Sequence, residues 1–189
     1  MHIGLYFGSF NPVHVGHLVI STHVINTTEI DQLWLVVSPQ NPFKPSQSLL
    51  NEYHRFHLVQ AALEGENKIK ASSIEFQLPK PSYTVDTLAY LKDKYPQHNF
   101  SIIMGSDSFC NIEKWKNYKV IISNHMLYIY ERQGFEITNN INAKIEVLKA
   151  PLLQISSTNI RKLVKEGKSI RYMVPDIVKE EIERNGYYK

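Results

Sequence analysis

The stretch that most constrains this chain is Gly8-Ser9-Phe10-Asn11-Pro12-Val13-His14-Val15-Gly16-His17. The apolar run before it, Ile3 to Phe7, reads as a buried strand, and Leu18, Val19, Thr22 and Ile25 follow it at helical spacing. Strand, glycine turn and helix therefore succeed one another directly. Gly8 is free to take backbone angles closed to other residues and lets a ligand approach the main chain. Pro12 removes one N–H and stiffens the entry to the helix. The helix start offers unpaired N–H groups and the positive end of its dipole, which suits a phosphate. His14 and His17 share one face if both stand in the first turn. The chemistry these features describe is a polyphosphate site with imidazoles as extra donors. Each piece has a plainer explanation: a glycine after a strand is usually a turn, and a histidine near a helix start is usually solvated or structural. Two histidines at this spacing also suit a metal, but no third ligand stands nearby, so no protein-held metal is expected.

The rest of the chain repeats the alternation. Leu33 to Val37 is a second continuous apolar run, and with the first strand and helix it makes a βαβ unit in a parallel sheet covered on both faces. Ser38 to Pro45 is a proline-stiffened loop at the carboxyl end of that strand, where open α/β sheets place ligands, and Lys44 is its one charge. A helix is expected over Asn51 to Glu64. In it His54 and His57 read as surface or inter-helix residues, and Arg55 as a residue able to lean on the phosphate loop. Ile69 to Ile74 reads as a strand, and Thr84 as the cap of a helix running through Tyr95. Phe100 to Met104 is another buried strand, ending on Gly105-Ser106-Asp107, where the acid suits a helix cap or a ribose hydroxyl. Ile112 and Trp115 follow on a short helix, Trp115 suiting either the core or an aromatic ring. Met126 to Tyr130 and Ile145 to Leu148 complete the strands, with a polar excursion, Glu136 to Ala143, between them.

A second strong stretch is Ile155-Ser156-Ser157-Thr158-Asn159-Ile160-Arg161. Its hydroxyls crowd a helix start, Ile160, Leu163 and Val164 form the apolar stripe behind, and Arg161 adds a planar cation able to fork onto phosphate oxygens. Gly167 ends that helix, and Pro175 opens a last one, Asp176 to Asn185, stopped at Gly186.

Composition excludes more than it selects. A length of 189 residues suits one α/β domain over 1–189 with a small helical addition at about 156–189. The net charge of +3 comes without any block of like charges, so no nucleic-acid tail is expected, and a pocket for several phosphates explains it as well. Apolar runs are strand-length, so no membrane span is expected, and the first residues lead into a strand rather than a secretory leader. The single cysteine, Cys110, fits a reducing cytoplasm and reads as a buried filler.

The histidine stretch resembles the GxFxPxHxGH signature of the nucleotidylyltransferase superfamily, with Gly8, Phe10, Pro12, His14, Gly16 and His17 matching position by position. Ser9 and Asn11 stand where members often carry Thr and Asp. Ile155 to Arg161 matches the second signature of that superfamily. Ser82 to Leu88 and Gly105 to Trp115 resemble the bacterial nicotinate-nucleotide adenylyltransferases. The resemblance implies a Rossmann-like α/β fold and the reaction of ATP with nicotinate mononucleotide, giving deamido-NAD and pyrophosphate with Mg²⁺. It implies catalytic roles for His14, His17 and Arg161. ATP would be held by Gly8, Ser9, Phe10, His17, Ser156, Ser157, Thr158 and Arg161. Tyr83, Thr84, Asp107 and Trp115 would place the acceptor, with Lys44 on a phosphate, although Phe43 departs from the His-Lys pair frequent in the family. Other phosphorylated acceptors, nicotinamide mononucleotide among them, and a non-catalytic nucleotide-binding module are the competing readings. Homo-oligomerisation is left open.

Overall fold

The computed structural model describes residues 1–40, 49–151 and 153–189. Strand β1 (His2–Gly8) leads into helix α1 (Val15–Thr27), and β2 (Gln32–Val37) returns parallel to β1. Then come α2 (Glu52–Ala62), β3 (Ile69–Ser72), α3 (Thr84–Lys94) and β4 (Asn99–Gly105). Two short helices, α4 (Ser106–Phe109) and α5 (Tyr118–Asn124), precede β5 (Leu127–Tyr130) and β6 (Ile145–Leu148). The chain closes with α6 (Ser157–Lys165) and α7 (Asp176–Asn185). The sheet has the order β3-β2-β1-β4-β5-β6, and each pairing is parallel. This is the Rossmann-like α/β fold expected from the alternating elements.

The order reverses between β1 and β4, which opens a crevice beyond the carboxyl ends of those strands. Side chains alternate across the sheet. Tyr6 on β1 faces a core built with Val24 of α1, Leu58 of α2, Ile160 of α6 and Val178 of α7. Ile3 and Leu5 face the other core, with Leu88 of α3, Phe109 of α4 and Ile121 of α5. Both faces are therefore covered, as continuous apolar strands require. Among the described residues no helix is long and apolar enough to cross a membrane.

Several local expectations are corrected. β3 stops at Ser72, and Ile74–Gln77 form a 3-10 turn in place of more strand. Tyr83, not Thr84, is the N-cap of α3; its carbonyl accepts from the amides of Asp86 and Thr87, so Thr84 already lies inside the helix. Trp115 follows the 3-10 turn Ile112–Lys114 rather than sitting in it. Helix α5 has no counterpart among the elements expected from the sequence. Its buried pair, Ile121 and Ile122, is too short a stripe to show a period. Cys110 is exposed, its Sγ 3.3 Å from the Glu136 carbonyl, because Phe109 and Ile112 take the neighbouring core positions.

Candidate active site

The histidine loop is built by packing rather than by glycine freedom. A Cβ on Gly8 would stand 2.8 Å from the Phe10 ring, so this glycine makes room for that ring. The left-handed backbone falls at Phe10 itself, with φ of 44°. Phe10 is buried, meets Tyr6 edge-on, and supports the His17 ring at 4.9 Å between centroids. His14 caps α1 and His17 sits one turn in, and their rings stack at 3.7 Å. A Cβ on Gly16 would press on the His14 ring at 3.1 Å, which is why glycine suits that position. The His14 amide donates to Nδ1 of His17 at 3.2 Å. When neutral, His17 therefore carries its proton on Nε2. Burial, and secondarily the charge of Arg132, push the His14 pKa down to about 4, so it is neutral at pH 7. Its Nδ1 is buried and has no hydrogen-bond partner among the described residues. An orphaned polar atom of this kind in a cleft points to a ligand.

The start of α6 is tied to this loop. The Ser157 hydroxyl donates to the Pro12 carbonyl at 2.9 Å, and Nη1 of Arg161 donates to the Asn11 carbonyl at 2.8 Å. Ser156 caps the helix by accepting from the Asn159 amide at 3.2 Å. The amides of Ser157 and Thr158 remain without an acceptor inside the helix, as helix starts require. The hydroxyl proton of Ser157 is thus engaged in the fold, and its main-chain amide is the group it offers an anion. At α1 the Val15 amide is likewise taken, by the Met173 carbonyl at 2.9 Å.

Opposite stand the groups at the ends of β4 and β5. Asp107 pairs with Arg132 at 3.3 Å, and Arg132 donates to the Tyr130 hydroxyl at 3.1 Å. That hydroxyl is 3.0 Å from the hydroxyl of Tyr6, whose pKa burial raises well above the usual tyrosine range. A Cβ on Gly105 would come within 2.3 Å of the Asp107 carboxylate, so glycine there admits the ion pair. Further along, Lys116 bonds Asp86 at 2.8 Å and lies 4.8 Å over the Tyr83 ring.

These groups line two cavities. One, of about 820 Å³, gathers Gly8, Ser9, Phe10, Tyr83, Thr84, Trp115, Ser156, Ser157, Thr158 and Arg161. The other, of about 1190 Å³, extends over Ile20, Phe135, Val147 and Leu153. His14, His17, Asp107 and Arg132 border both. Each site residue singled out in the sequence is thus brought to the crevice except Lys44, which lies outside the described residues. Tyr6, Tyr130 and Arg132 were missed. The readable signal for Arg132 was a charge just beyond the carboxyl end of a parallel strand.

Two helix starts, two imidazoles and two guanidiniums at the switch point of a parallel sheet define a class, the α/β proteins that handle nucleotide phosphates. The family model described as cytidylyltransferase-like matches residues 5–163. A probable nicotinate-nucleotide adenylyltransferase of Cytophaga hutchinsonii is 52% identical over 100% of this chain and 98% of its own. Its counterpart in Flavobacterium psychrophilum is 48% identical over 100% of both. The chain belongs to the cytidylyltransferase-like family and, within it, to the nicotinate-nucleotide adenylyltransferases. The Plasmodium falciparum nicotinic acid mononucleotide adenylyltransferase complexed with NaAD superposes with a TM-score of 0.85 at 23% identity, over 99% of this chain and 97% of that one, a likeness of fold.

Proposed function

We propose that this chain transfers the adenylyl group of ATP to nicotinate mononucleotide, forming nicotinate adenine dinucleotide and pyrophosphate. The observation that carries the reading is the pair of cavities meeting at His14 and His17. The adenosine fits one side and the mononucleotide the other, with the ATP phosphates reaching past the histidines to the start of α6. An oxygen of the mononucleotide phosphate bonds to the α-phosphorus of ATP. The bond from that phosphorus to the α–β bridging oxygen breaks, and pyrophosphate leaves with the electron pair. The attacking group belongs to the substrate, so the protein supplies position and charge stabilisation.

His17 donates from Nε2 to the α-phosphate, and His14 completes the same edge. Arg161, the Ser156 hydroxyl and the amides of Ser157 and Thr158 hold the β- and γ-phosphates, while Gly8, Ser9 and Phe10 line the nucleotide path. The larger, more apolar cavity takes the adenosine, and Asp107 with Arg132 stands where the two ribosyl phosphates meet. The nicotinate ring stacks on Trp115, facing the amides of Thr84 and Val85 at the start of α3. Mg²⁺ enters as part of the ATP substrate, on its phosphate oxygens. Among the described residues no group of three His, Cys, Asp or Glu side chains is arranged to hold a resident ion.

The test is an acceptor panel with ATP, read by pyrophosphate release. A helix start accepts a carboxylate at both oxygens, whereas the amide turns an NH₂ toward one donor and orphans it. That difference is worth about 2–4 kcal/mol, or roughly 30- to 1000-fold in kcat/KM. Comparable values for the nicotinate and nicotinamide mononucleotides would overturn the assignment of the acceptor.

A further inference from the structure

Two hydrogen bonds hold the main chain of Ser38, the buried residue that follows β2. Its amide donates to the Gly8 carbonyl at 2.9 Å. Its carbonyl accepts from Nη1 of Arg55 at 2.8 Å. Its hydroxyl stands near enough to the Glu75 carboxylate to oppose the rise that burial causes in that group's pKa. Arg55 has no exposed surface, and among the described residues its other bonds also go to carbonyls: Ser9 at 2.6 Å, Pro39 at 2.9 Å and Leu50 at 2.7 Å. Glu75 is 1% exposed and accepts from the hydroxyls of Ser82 at 2.6 Å and Thr87 at 2.8 Å. A cation and a carboxylate buried this deeply, bonded to neutral groups, are an expensive way to stabilise a core. Burial pulls the Arg55 pKa down and pushes that of Glu75 up, the direction expected when no full countercharge is in contact.

What the two charges hold is specific. Arg55 grips Ser9, inside the histidine loop. Glu75 grips Ser82 and Thr87, on either side of the first residues of α3. We propose that Arg55 and Glu75 are positioning residues, joined through Ser38, which fix the ATP loop and the acceptor-binding helix start in one frame. The assignment of the two ends rests on the adenylyl-transfer reading above. Arg55 sets the main chain that lines the ATP side, and Glu75 sets the amides of Thr84 and Val85. Neither touches the reacting atoms.

The experiment measures KM for each substrate, kcat and thermal stability in the full chain carrying Glu75→Gln, Ser38→Ala, both together, or Arg55→Lys. Glu75→Gln keeps the shape and leaves one oxygen to accept. It should raise KM for nicotinate mononucleotide tenfold or more and KM for ATP less than twofold. Ser38→Ala removes only the hydroxyl and should move the same constant in the same direction. The double variant should be no worse than the worse single one, because both cut one link. Arg55→Lys, reaching fewer carbonyls, should raise KM for ATP the more strongly. If Glu75→Gln does not fold, Ser82→Ala and Thr87→Val each remove a single bond and carry the same test. Equal losses for both substrates in step with melting temperature, or additive effects of Glu75→Gln and Ser38→Ala, would overturn the proposal. Failure of the parent protein to use nicotinate mononucleotide would instead remove the reading on which the assignment of ends rests.

Discussion

The two ends of the crevice are built differently. At the phosphate end, side chains and amides are tied to the main chain of distant segments. Ser157 reaches Pro12, Arg161 reaches Asn11, and Val15 reaches Met173. At the acceptor end the buried bonds lie beneath the surface, at Glu75, while the groups facing the crevice are half exposed. The Lys116–Asp86 pair has both side chains 45% exposed. Charge stabilisation is worth most when its donors need not reorganise during reaction. The phosphate end is preorganised in that sense. The acceptor end fixes a helix start and leaves its side chains in water. Substitutions at the first should therefore act on turnover and polyphosphate affinity, and those at the second on the choice of acceptor, more weakly per side chain.

The sharpest way to break this contrast is His17→Ala. The His17 ring is held by Phe10, His14 and the His14 amide. Losing one donor to developing charge should lower kcat by roughly 10²–10³, with KM for nicotinate mononucleotide changing far less. His54→Ala is the control. His54 is exposed and bonds the Tyr187 hydroxyl at 2.9 Å on the α2–α7 side, so its loss should leave kcat within about twofold, as surface changes usually do. Near-parental turnover in folded His17→Ala would remove preorganisation at the histidines as the source of rate.

Arg161→Ala comes next. If Arg161 holds the terminal phosphates, ATP affinity should fall by more than AMP affinity. A charge-assisted hydrogen bond contributes about 1.5–3 kcal/mol, roughly ten- to 150-fold. The same guanidinium holds the Asn11 carbonyl, so some loss should be common to both nucleotides. The difference between ATP and AMP, measured by calorimetry, isolates the phosphate contact. Equal losses would reduce Arg161 to a tether of the histidine loop.

What could be read in advance follows from the same contrast. His14, His17, Ser156 and Arg161 stand in two contiguous stretches whose local chemistry is self-evident: donors at a helix start. The parallel sheet was legible because buried strands are continuous apolar runs. Arg132, Tyr6, Tyr130, Glu75 and Ser38 act through partners far away in the chain, as in Tyr6 with Tyr130, and no local pattern marks such pairs. A glycine at position 8 suggests backbone freedom, yet Phe10 takes the positive φ and Gly8 yields space to its ring. Thr84 suits a cap by residue type, yet the Tyr83 carbonyl is where the helix bonds begin. Cysteines are usually buried, but at Cys110 a short helix turns the side chain outward.

Proton linkage at His14 tests the phosphate end through folding stability rather than through turnover. Its folded pKa of about 4 lies below the ordinary 6.5. At pH 7 both folded and unfolded states hold it neutral. Below pH 6.5 the unfolded chain takes up a proton that the folded chain refuses, so stability is lost as pH falls toward 4. Between pH 7 and pH 5 the loss should be about 2 kcal/mol. Urea denaturation of the parent and of His14→Gln at the two pH values should differ by that amount. A bound polyphosphate favours the charged imidazole, so stabilisation by ATP should grow over the same interval. An unchanged pH dependence in His14→Gln would mean that the imidazole is solvated rather than buried.

The smallest expected effect sharpens the comparison most at the acceptor end, and it belongs to Lys116. Its ammonium lies over the Tyr83 ring and bonds both oxygens of Asp86, at 2.8 and 3.1 Å. The position beside the start of α3 makes it the obvious rival to the main-chain amides as the reader of the nicotinate carboxylate. Two facts argue that it is the lesser partner. Its charge is already opposed by Asp86, and the pair stands in solvent, where such interactions contribute about 0.2–1 kcal/mol. The amides of Thr84 and Val85 are fixed in the helix start. Lys116→Met should therefore lower the preference for nicotinate over nicotinamide mononucleotide by no more than about fivefold. The parent at high salt should approach the variant, because exposed charges are screened there. A fall of tenfold or more would move acid recognition from backbone to side chain, and would make the exposed end of the crevice the one that decides the substrate.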